Sequence, residues 1–338
     1  MTAGRNRQIE EFLYAAGWAG AKRVDLAQDA SFRRYERILL GGKSAVLMDA
    51  PPDKEDVTPF LRIARALSEM GLSAPRIIGE DAAKGLLLLE DLGDETFTRL
   101  LDGGAPPMEL YSLAADALVA LHSKADVKNL GNSVPLYEDP LFVKEALLLT
   151  EWYLPAVTGS PTDREISHGY QKIWEDLLPK ARGVPNTLVL RDYHVDNLVR
   201  IAGRSGVGAC GLLDFQDAVL GPLSYDFISL VEDARRDVAA TLAADIRKRY
   251  LNANPAIDPE AFDRSCAILG AQRHCKVLGI FTRLRDRDGK DRYLHHVPRL
   301  WRLLERSVEH PALESLKDWL EEYLPLDLRI VPPGRLGL

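Results

Sequence analysis

The sequence has few cysteines and no long apolar segment. Cys210, Cys266 and Cys275 follow no metal or disulfide spacing, which is typical of a protein from a reducing cytoplasm. No uncharged apolar run approaches the ~20 residues that are needed to span a bilayer. The start, MTAGRNRQIEEF, has no apolar core of signal-peptide length. We therefore expect a cytoplasmic protein without a membrane partner.

The sequence also lacks an excess of basic residues. Lys and Arg number 43 against 50 Asp and Glu, which gives a formal net charge of −7. This balance offers no attraction to nucleic acid or to an anionic membrane. The 338 residues, 46% of them hydrophobic, suffice for one large domain or two lobes with a sizeable core. We expect a monomer whose partner is a small molecule.

The first 92 residues have the periodicity of a small antiparallel sheet. Turn residues separate three short runs, RVDLA, RYERILL and SAVLMDA, which predicts a three-stranded meander. Two more strands are predicted in PRIIGED and GLLLLEDLG. Helices are predicted over 9–18 and in EDVTPFLRIARALSEMG, where the second ends at Gly71.

The rest of the chain is mainly helical. MELYSLAADALVALH repeats leucine and alanine along one helical face, and further helical patterns cover roughly 140–152, 163–180 and 223–325. We predict an α+β, two-lobed fold. A small antiparallel β lobe is expected over residues 1–92, and a large, mainly helical lobe over residues 93–338.

One polar segment, LRDYHVDN, stands between the strand-like runs NTLV and NLVRI. It contains Asp192 and Asn197, and Asp214 follows 22 residues after Asp192 in GLLDFQDA. Phosphoryl transfer needs a carboxylate to take the acceptor proton, and carboxylate and amide oxygens to hold Mg²⁺ against the phosphates. Each residue alone could simply cap a turn. All three in this order, behind a β-rich lobe, favour a kinase-like site.

These motifs resemble those of the aminoglycoside phosphotransferase family, from about residue 24 to residue 325. Leu190 stands where that family has histidine, and Arg191 where it usually has glycine. DASFRRY, VLMDAPP, LLLEDLGD and SYDFISLVEDARRDV are especially similar to the bacterial anomeric kinases of N-acetylmuramate and N-acetylglucosamine. The resemblance implies a two-lobed protein-kinase-like fold. It also implies ATP-dependent phosphorylation of a sugar's C1 hydroxyl, as part of peptidoglycan recycling.

The resemblance further implies a role for each motif. Asp192 becomes the catalytic base, and Asn197 and Asp214 become ligands of Mg²⁺. The nucleotide would be contacted by the QDASFRRY loop over the phosphates and by the interlobe hinge. The residues concerned are Ser31 and Arg33 in the loop, and Glu90, Asp91 and Leu92 in the hinge.

Two features depart from the usual kinase-like pattern. The phosphate loop has no glycine, so the backbone of Ala30 and Ser31 would have to cradle the phosphates. Met48 stands where the third strand usually carries a phosphate-binding lysine, and we predict that it fills the core. Arg33, Arg34 and Lys43 are the candidates for the missing cation. This gap leaves a pseudokinase that binds a ligand without turnover as an alternative.

Several polar residues are candidates for binding the acceptor. They are His194, Asp196, Asp233, Arg235, Arg273 and His274. His194 is either a proton shuttle or a hydrogen-bonded loop residue. The stretch 273–302 holds nine Lys or Arg against three Asp, which is typical of a solvated helix face but also suits an anionic sugar with a lactyl carboxylate. A polycationic aminoglycoside would fit such a site poorly. An aminoglycoside or another hydroxyl compound remains the alternative acceptor.

Overall fold

A computed structural model describes residues 3–26 and 32–334, and the chain divides into two compact units. The first, called here the sheet unit, comprises the described residues of 1–124 together with 195–218. The second, called the helical unit, comprises 125–194 and the described residues of 219–338. The lobe boundary predicted between residues 92 and 93 stays a prediction. The sheet unit extends beyond it, to Lys124, and takes in a later segment.

The sheet unit is built on five antiparallel strands in the order β1-β2-β3-β5-β4. The predicted meander forms its first three strands, and both further strands are present, so these predictions are confirmed. The elements are α1 (Ala3–Ala15), β1 (Lys22–Asp25), β2 (Arg34–Leu40), β3 (Lys43–Asp49), α2 (Thr58–Glu69), β4 (Ile77–Asp81), β5 (Leu86–Glu90), α3 (Phe97–Asp102), α4 (Pro107–Lys124), β7 (Leu198–Arg200) and β8 (Cys210–Leu212).

Strand β5 lies inside the sheet because its sequence is apolar on both faces. Its four leucines, 86 to 89, are all buried, as expected of a strand that is covered on both sides. Ile9 and Phe12 of α1 share one core cluster with Leu86 and Leu88. Helix α1 begins at Ala3, six residues before the predicted start, and the helix predicted to end at Gly71 is α2. Gly71 has a φ of +74°, the left-handed conformation expected at a helix end.

The helical unit is arranged around one long buried helix. Helix α11 has 30 residues, and most of its side chains are buried. The elements are α5 (Val127–Leu130), α6 (Asp139–Ala146), a π-helical turn (Leu149–Tyr153), α7 (Leu154–Thr158), α8 (Arg164–Ala181), β6 (Asn186–Val189), β9 (Val219–Pro222), α9 (Ser224–Val231), α10 (Ala240–Ala253), α11 (Pro259–Asp288), α12 (Val297–Ser307) and α13 (Glu314–Tyr323). The helical character predicted for 223–325 is confirmed. None of the helices in the described part of the chain is long and apolar enough to cross a membrane.

The π-helical turn and α11 approach each other closely at Gly279. A methyl group added at Gly279 would lie 2.3 Å from both the carbonyl carbon and the carbonyl oxygen of Leu148. Backbone atoms cannot give way as a flexible side-chain end can. The contact therefore requires glycine at this position.

We expect Gly279→Ala to destabilise the protein by about 3 kcal/mol, because the added methyl group overpacks a backbone contact. Thermal unfolding would show a Tm lowered by roughly 4 °C. Gly169→Ala is the matched control, since Gly169 lies inside α8 with no atom within 4 Å of an added methyl group. The control should be neutral or stabilising by up to about 1 kcal/mol. Equal Tm values for the two variants would contradict the packing argument.

Candidate active site

The loop that carries Asp192 is fixed by a buried carboxylate of the helical unit. Asp226 of α9 is fully buried and accepts the backbone N–H groups of Leu190 (2.6 Å) and Arg191 (2.9 Å). Burial raises the pKa of Asp226 to about 7, although both hydrogen bonds oppose that shift. The sequence analysis missed this residue. The sequence does mark it, because Asp226 is the single charged residue between Ala218 and Val231.

Arg191 explains how the loop keeps its shape without the glycine usual in the family. Its φ of +71° lies in the left-handed region that favours glycine. Its side chain is anchored by an ion pair with Glu145, which Lys276 also contacts at 3.0 Å. The guanidinium lies 5.3 Å from the ring centroid of Tyr137. These contacts hold the backbone in a conformation that a side-chain-bearing residue rarely adopts.

Asp192 faces a buried cation. Arg273 Nη2 of α11 lies 3.7 Å from Asp192 Oδ1, and Arg273 Nη1 donates to the carbonyl of Arg191 at 3.1 Å. The Asp192 side chain remains 46% exposed. Burial alone would raise the pKa of Asp192, but the positive charges around it, led by Arg273, outweigh that effect and lower the pKa. Asp192 is therefore ionised at neutral pH, the state that a general base needs.

His194 forms a second contact beside this loop. It is buried, and its Nε2 lies 2.8 Å from Arg235 Nη1. A guanidinium only donates, so Nε2 accepts and the imidazole is neutral. Burial lowers the pKa of His194, and the charge of Arg235 lowers it further. The geometry favours a hydrogen-bonded loop histidine over a proton shuttle.

The other candidate residues of the helical unit have contacts of their own. Asp233 Oδ1 accepts the backbone N–H of Arg235 at 2.7 Å, while its buried Oδ2 has no hydrogen-bond partner among the described residues. His274 is buried and pairs with Glu232, with 2.7 Å between Nε2 and Oε2. The structure thus brings Arg273 to Asp192 and Arg235 to His194. It pairs His274 with Glu232, a residue that sequence reasoning missed.

Asn197 and Asp214 flank a paired hairpin in the sheet unit. Strands β7 and β8 pair antiparallel, and Leu213 donates its N–H to the carbonyl of Asn197 at 2.9 Å. Asn197 precedes β7 and Asp214 follows β8, so both stand at the same end of the hairpin. Asp214 has a φ of +56°, and its Oδ1 accepts from Gln216 Nε2 at 2.9 Å. The predicted hairpin arrangement is confirmed.

These two residues fit a Mg²⁺ ion by their chemistry. Within residues 3–26 and 32–334, no three His, Cys, Asp or Glu side chains form a ready-made metal cluster. Mg²⁺ is usually held by one or two protein oxygens, with water and phosphate oxygens completing its octahedron. One carboxylate and one amide at the end of a hairpin agree with that pattern. Asp196 is tied instead by a hydrogen bond from the hydroxyl of Thr98.

The phosphate loop is described only in part. Ser31 and Ala30, which were predicted to contact the phosphates, lie outside the described residues. Arg33 is described, and its guanidinium lies 4.0 Å from Asp214 Oδ1 and 3.4 Å from Glu55 Oε2. Arg33 therefore lies beside Asp214, a predicted metal ligand.

Met48 and Lys43 occupy different parts of strand β3. Met48 is fully buried, as predicted for a core-filling residue. Lys43 pairs with Leu40 at one end of the β2–β3 hairpin, whereas Arg34 pairs with Asp49 at the other. A seven-residue strand spans roughly 20 Å. Lys43 is therefore remote from Arg33, which directly precedes Arg34.

The predicted hinge residues are held by arginines that the sequence analysis did not identify. Glu90 Oε1 lies 2.7 Å from Arg204 Nη2, and Asp91 Oδ2 lies 2.7 Å from Arg37 Nε. Both carboxylates are therefore engaged in ion pairs within the sheet unit. Leu92 packs against the β7–β8 hairpin, in a cluster with Val199 and Ile201. The contact of this segment with adenine stays a prediction.

The sheet unit also contains a pocket of about 500 Å³ between α2 and β4. Arg65, Arg76 and Glu80 contribute to its lining. None of the predicted site residues lines it. It has no part in the candidate chemistry.

Residues 23–263 match the sequence profile of the phosphotransferase enzyme family, APH. The chain belongs to this family. Relatives that are similar along most of the chain carry one name. The N-acetylmuramate/N-acetylglucosamine kinase of Caulobacter vibrioides is 36% identical over 97% of this phosphotransferase and 100% of its own length. That of Pseudomonas aeruginosa is 38% identical over 92% of each chain.

Solved structures support the same fold. The phosphotransferase superposes on APH(2'')-IIa, in its ternary complex with streptomycin and ATP, with a TM-score of 0.58. The sequences are 16% identical, and the match covers 92% of this chain and 97% of the other. At this identity the likeness concerns the fold. The predicted protein-kinase-like α+β fold is confirmed.

The ion pair between Arg273 and Asp192 generates a pH prediction. Removing the cation in Arg273→Gln should raise the pKa of Asp192, because an adjacent arginine lowers the pKa of a carboxyl group. Since the base must be ionised, the acidic limb of kcat/KM should move to higher pH. The measurement is the variant-to-wild-type ratio of kcat/KM from pH 8 down to the lowest pH at which both proteins remain folded, which cancels effects of the substrates' own titration. Arg273→Lys keeps the charge and should shift the limb less. A ratio independent of pH would contradict the proposed pairing.

Proposed function

We propose that this phosphotransferase transfers the γ-phosphoryl group of ATP to the C1 hydroxyl of N-acetylmuramate or N-acetylglucosamine. The observation that carries the proposal is the 36% identity that extends along the whole length of the Caulobacter N-acetylmuramate/N-acetylglucosamine kinase. Acceptor choice in kinase-like enzymes depends on the site rather than on the fold. Because the identity extends through the helical unit, it also supports the same acceptor sugars.

Each unit of the chain contains residues with a proposed role in the step. The C1 oxygen attacks the γ-phosphorus, the bond from that phosphorus to the ADP oxygen breaks, and Asp192 takes the hydroxyl proton. The cation of Arg273 supports this role, because it keeps Asp192 ionised. Mg²⁺ bound by Asn197 and Asp214 would neutralise phosphate charge. Four residues separate Asp192 from Asn197 in the chain.

Nucleotide binding is assigned to the sheet unit. The complex of APH(2'')-IIa with streptomycin and ATP supports ATP as the donor. Arg33 is our choice for the cation that replaces the third-strand lysine, because it lies 4.0 Å from Asp214. Ser31 and the backbone of Glu90, Asp91 and Leu92 complete the proposed nucleotide contacts. We assign the reaction to peptidoglycan recycling in the cytoplasm, and expect a monomer.

Two alternatives are weaker on physical grounds. A polycationic aminoglycoside would bring positive charge towards Arg273 and Arg235, at a cost that rises as the site loses water. A pseudokinase has no need for Asp192, Asn197 and Asp214 together, and all three are present in the sequence. The proposed sugar kinase accounts for the charge and for the retained residues.

An ADP-release screen tests the acceptor. N-acetylmuramate and N-acetylglucosamine should support turnover, whereas kanamycin and choline should not, and phosphorus NMR should identify a 1-phosphate. Asp192→Asn keeps the shape but removes the proton acceptor, so its kcat should fall by ~10²–10⁴. Turnover of kanamycin without turnover of the sugars would overturn the proposal, as would a 6-phosphate product. No ADP release with any acceptor would favour the pseudokinase.

Calorimetric titration with ATP, with and without Mg²⁺, tests the metal ligands. Asp214→Ala should remove the Mg²⁺-dependent part of the ATP affinity together with the activity, since a metal held by Asp214 would neutralise phosphate charge. Asn197→Ala should have a smaller effect, because an amide oxygen carries no formal charge. Glu69→Ala is the control, since it removes an exposed acid of the sheet unit at the end of α2, away from the predicted ligands in sequence. An unchanged Mg²⁺ dependence in Asp214→Ala would refute the ligand assignment.

A further inference from the structure

The helical unit contains a pocket of about 230 Å³ whose wall is rich in arginine. Its charged lining residues are four arginines and two acids: Arg236, Arg299, Arg302, Arg306, Glu232 and Asp237. Four guanidinium groups face two carboxylates, so the lining has two more positive than negative charges. The whole chain has a net charge of −7. The pocket lining is therefore positively charged, although the protein as a whole is negatively charged.

The arginines reach the pocket from one helix face and one loop. Arg299, Arg302 and Arg306 are spaced three and four residues apart on α12, which aligns them on one side. The opposite side of α12 buries Leu300 and Leu304 in the core. The loop of residues 232–238 provides the other wall. Because the apolar side of α12 is fixed, the direction of its arginine row is fixed as well.

The pocket already holds a carboxylate of the protein itself. Asp237 accepts from Arg299 Nη2 and from Arg302 Nη2, each at 3.0 Å. Its side chain is 66% exposed, so this carboxylate stands at the open side of the pocket. Guanidinium groups bind carboxylates through paired N–H donors. The arginine pocket thus offers guanidinium donors of the kind that bind a small oxyanion.

The wall of the pocket is shared with the surroundings of Asp192. Loop 232–238 also carries Arg235, which contacts His194, two residues after Asp192. Glu232, on the same wall, pairs with His274, the neighbour of Arg273. All these contacts lie within the helical unit. A group bound in the pocket is therefore linked to the base by one loop and one helix.

We propose that the arginine pocket binds the carboxylate of an acidic substituent on the acceptor sugar. This inference rests on the proposed function. N-acetylmuramate differs from N-acetylglucosamine by a lactyl ether that ends in a carboxylate, so the pocket acts on one of the two sugars and not on the other. It sets the preference for the acidic sugar.

Arg302→Gln tests this assignment most directly. Arg302 is 60% exposed, and its one hydrogen bond among the described contacts goes to Asp237, so its loss should disturb the fold little. We expect the ratio of kcat/KM for N-acetylmuramate to that for N-acetylglucosamine to fall about tenfold, the usual scale for one charge-assisted hydrogen bond. Arg302→Lys keeps the charge and should recover part of the ratio. Arg287→Gln is the control: Arg287 is 59% exposed, pairs with Asp288 and lies outside the pocket.

Three outcomes would overturn the inference. Unchanged kcat/KM values for both sugars in Arg302→Gln, with an active wild type, would show that the pocket does not contact the acceptor. An equal fall for both sugars, leaving the ratio unchanged, would show a structural role. Stabilisation of the wild type by inorganic phosphate that Arg302→Gln abolishes, again without a change in the ratio, would identify a free oxyanion site. A wild type that phosphorylates neither sugar would instead refute the proposed function, and the inference with it.

Discussion

The candidate chemistry of the helical unit depends on the contacts of the Arg273 guanidinium. It is buried in α11, donates to the backbone of Arg191 and faces the carboxylate of Asp192. One side chain thus fixes both where the base lies and how it is charged. Asp226 holds the same loop from α9 through two backbone N–H groups. The loop is polar because buried charged side chains of α9 and α11 contact it.

Buried charges of this kind are costly unless they are paired. Around the loop, Glu145 lies between Arg191 and Lys276, and Arg273 lies beside Asp192. Removing Glu145 would leave the guanidinium of Arg191 and the ammonium of Lys276 without the carboxylate that they share. The network therefore keeps Arg191 in the left-handed backbone conformation that favours glycine. What glycine achieves through conformational freedom, this chain achieves through electrostatic anchoring.

The sequence predicted the features that depend on local patterns. The meander, α2 with its end at Gly71, and the β7–β8 hairpin follow from alternation and turn residues within short segments. The contacts around Asp192 were not predictable in this way, because Arg273 and Glu145 are distant in sequence and reach the loop only through packing. Arg273 was a candidate by charge alone. Its contact with Asp192 became evident only from the position of α11 in the fold.

The close contact at Gly279 has a consequence beyond packing. Backbone touches backbone there, so α11 can neither slide nor rotate freely against the π-helical turn. Arg273 lies six residues earlier on the same rigid rod, about 9 Å along its axis. Because a Coulomb interaction varies with distance, the placement of α11 at Gly279 influences the pKa of Asp192 through the position of Arg273. The glycine that lets the two backbones approach therefore also influences how basic Asp192 is.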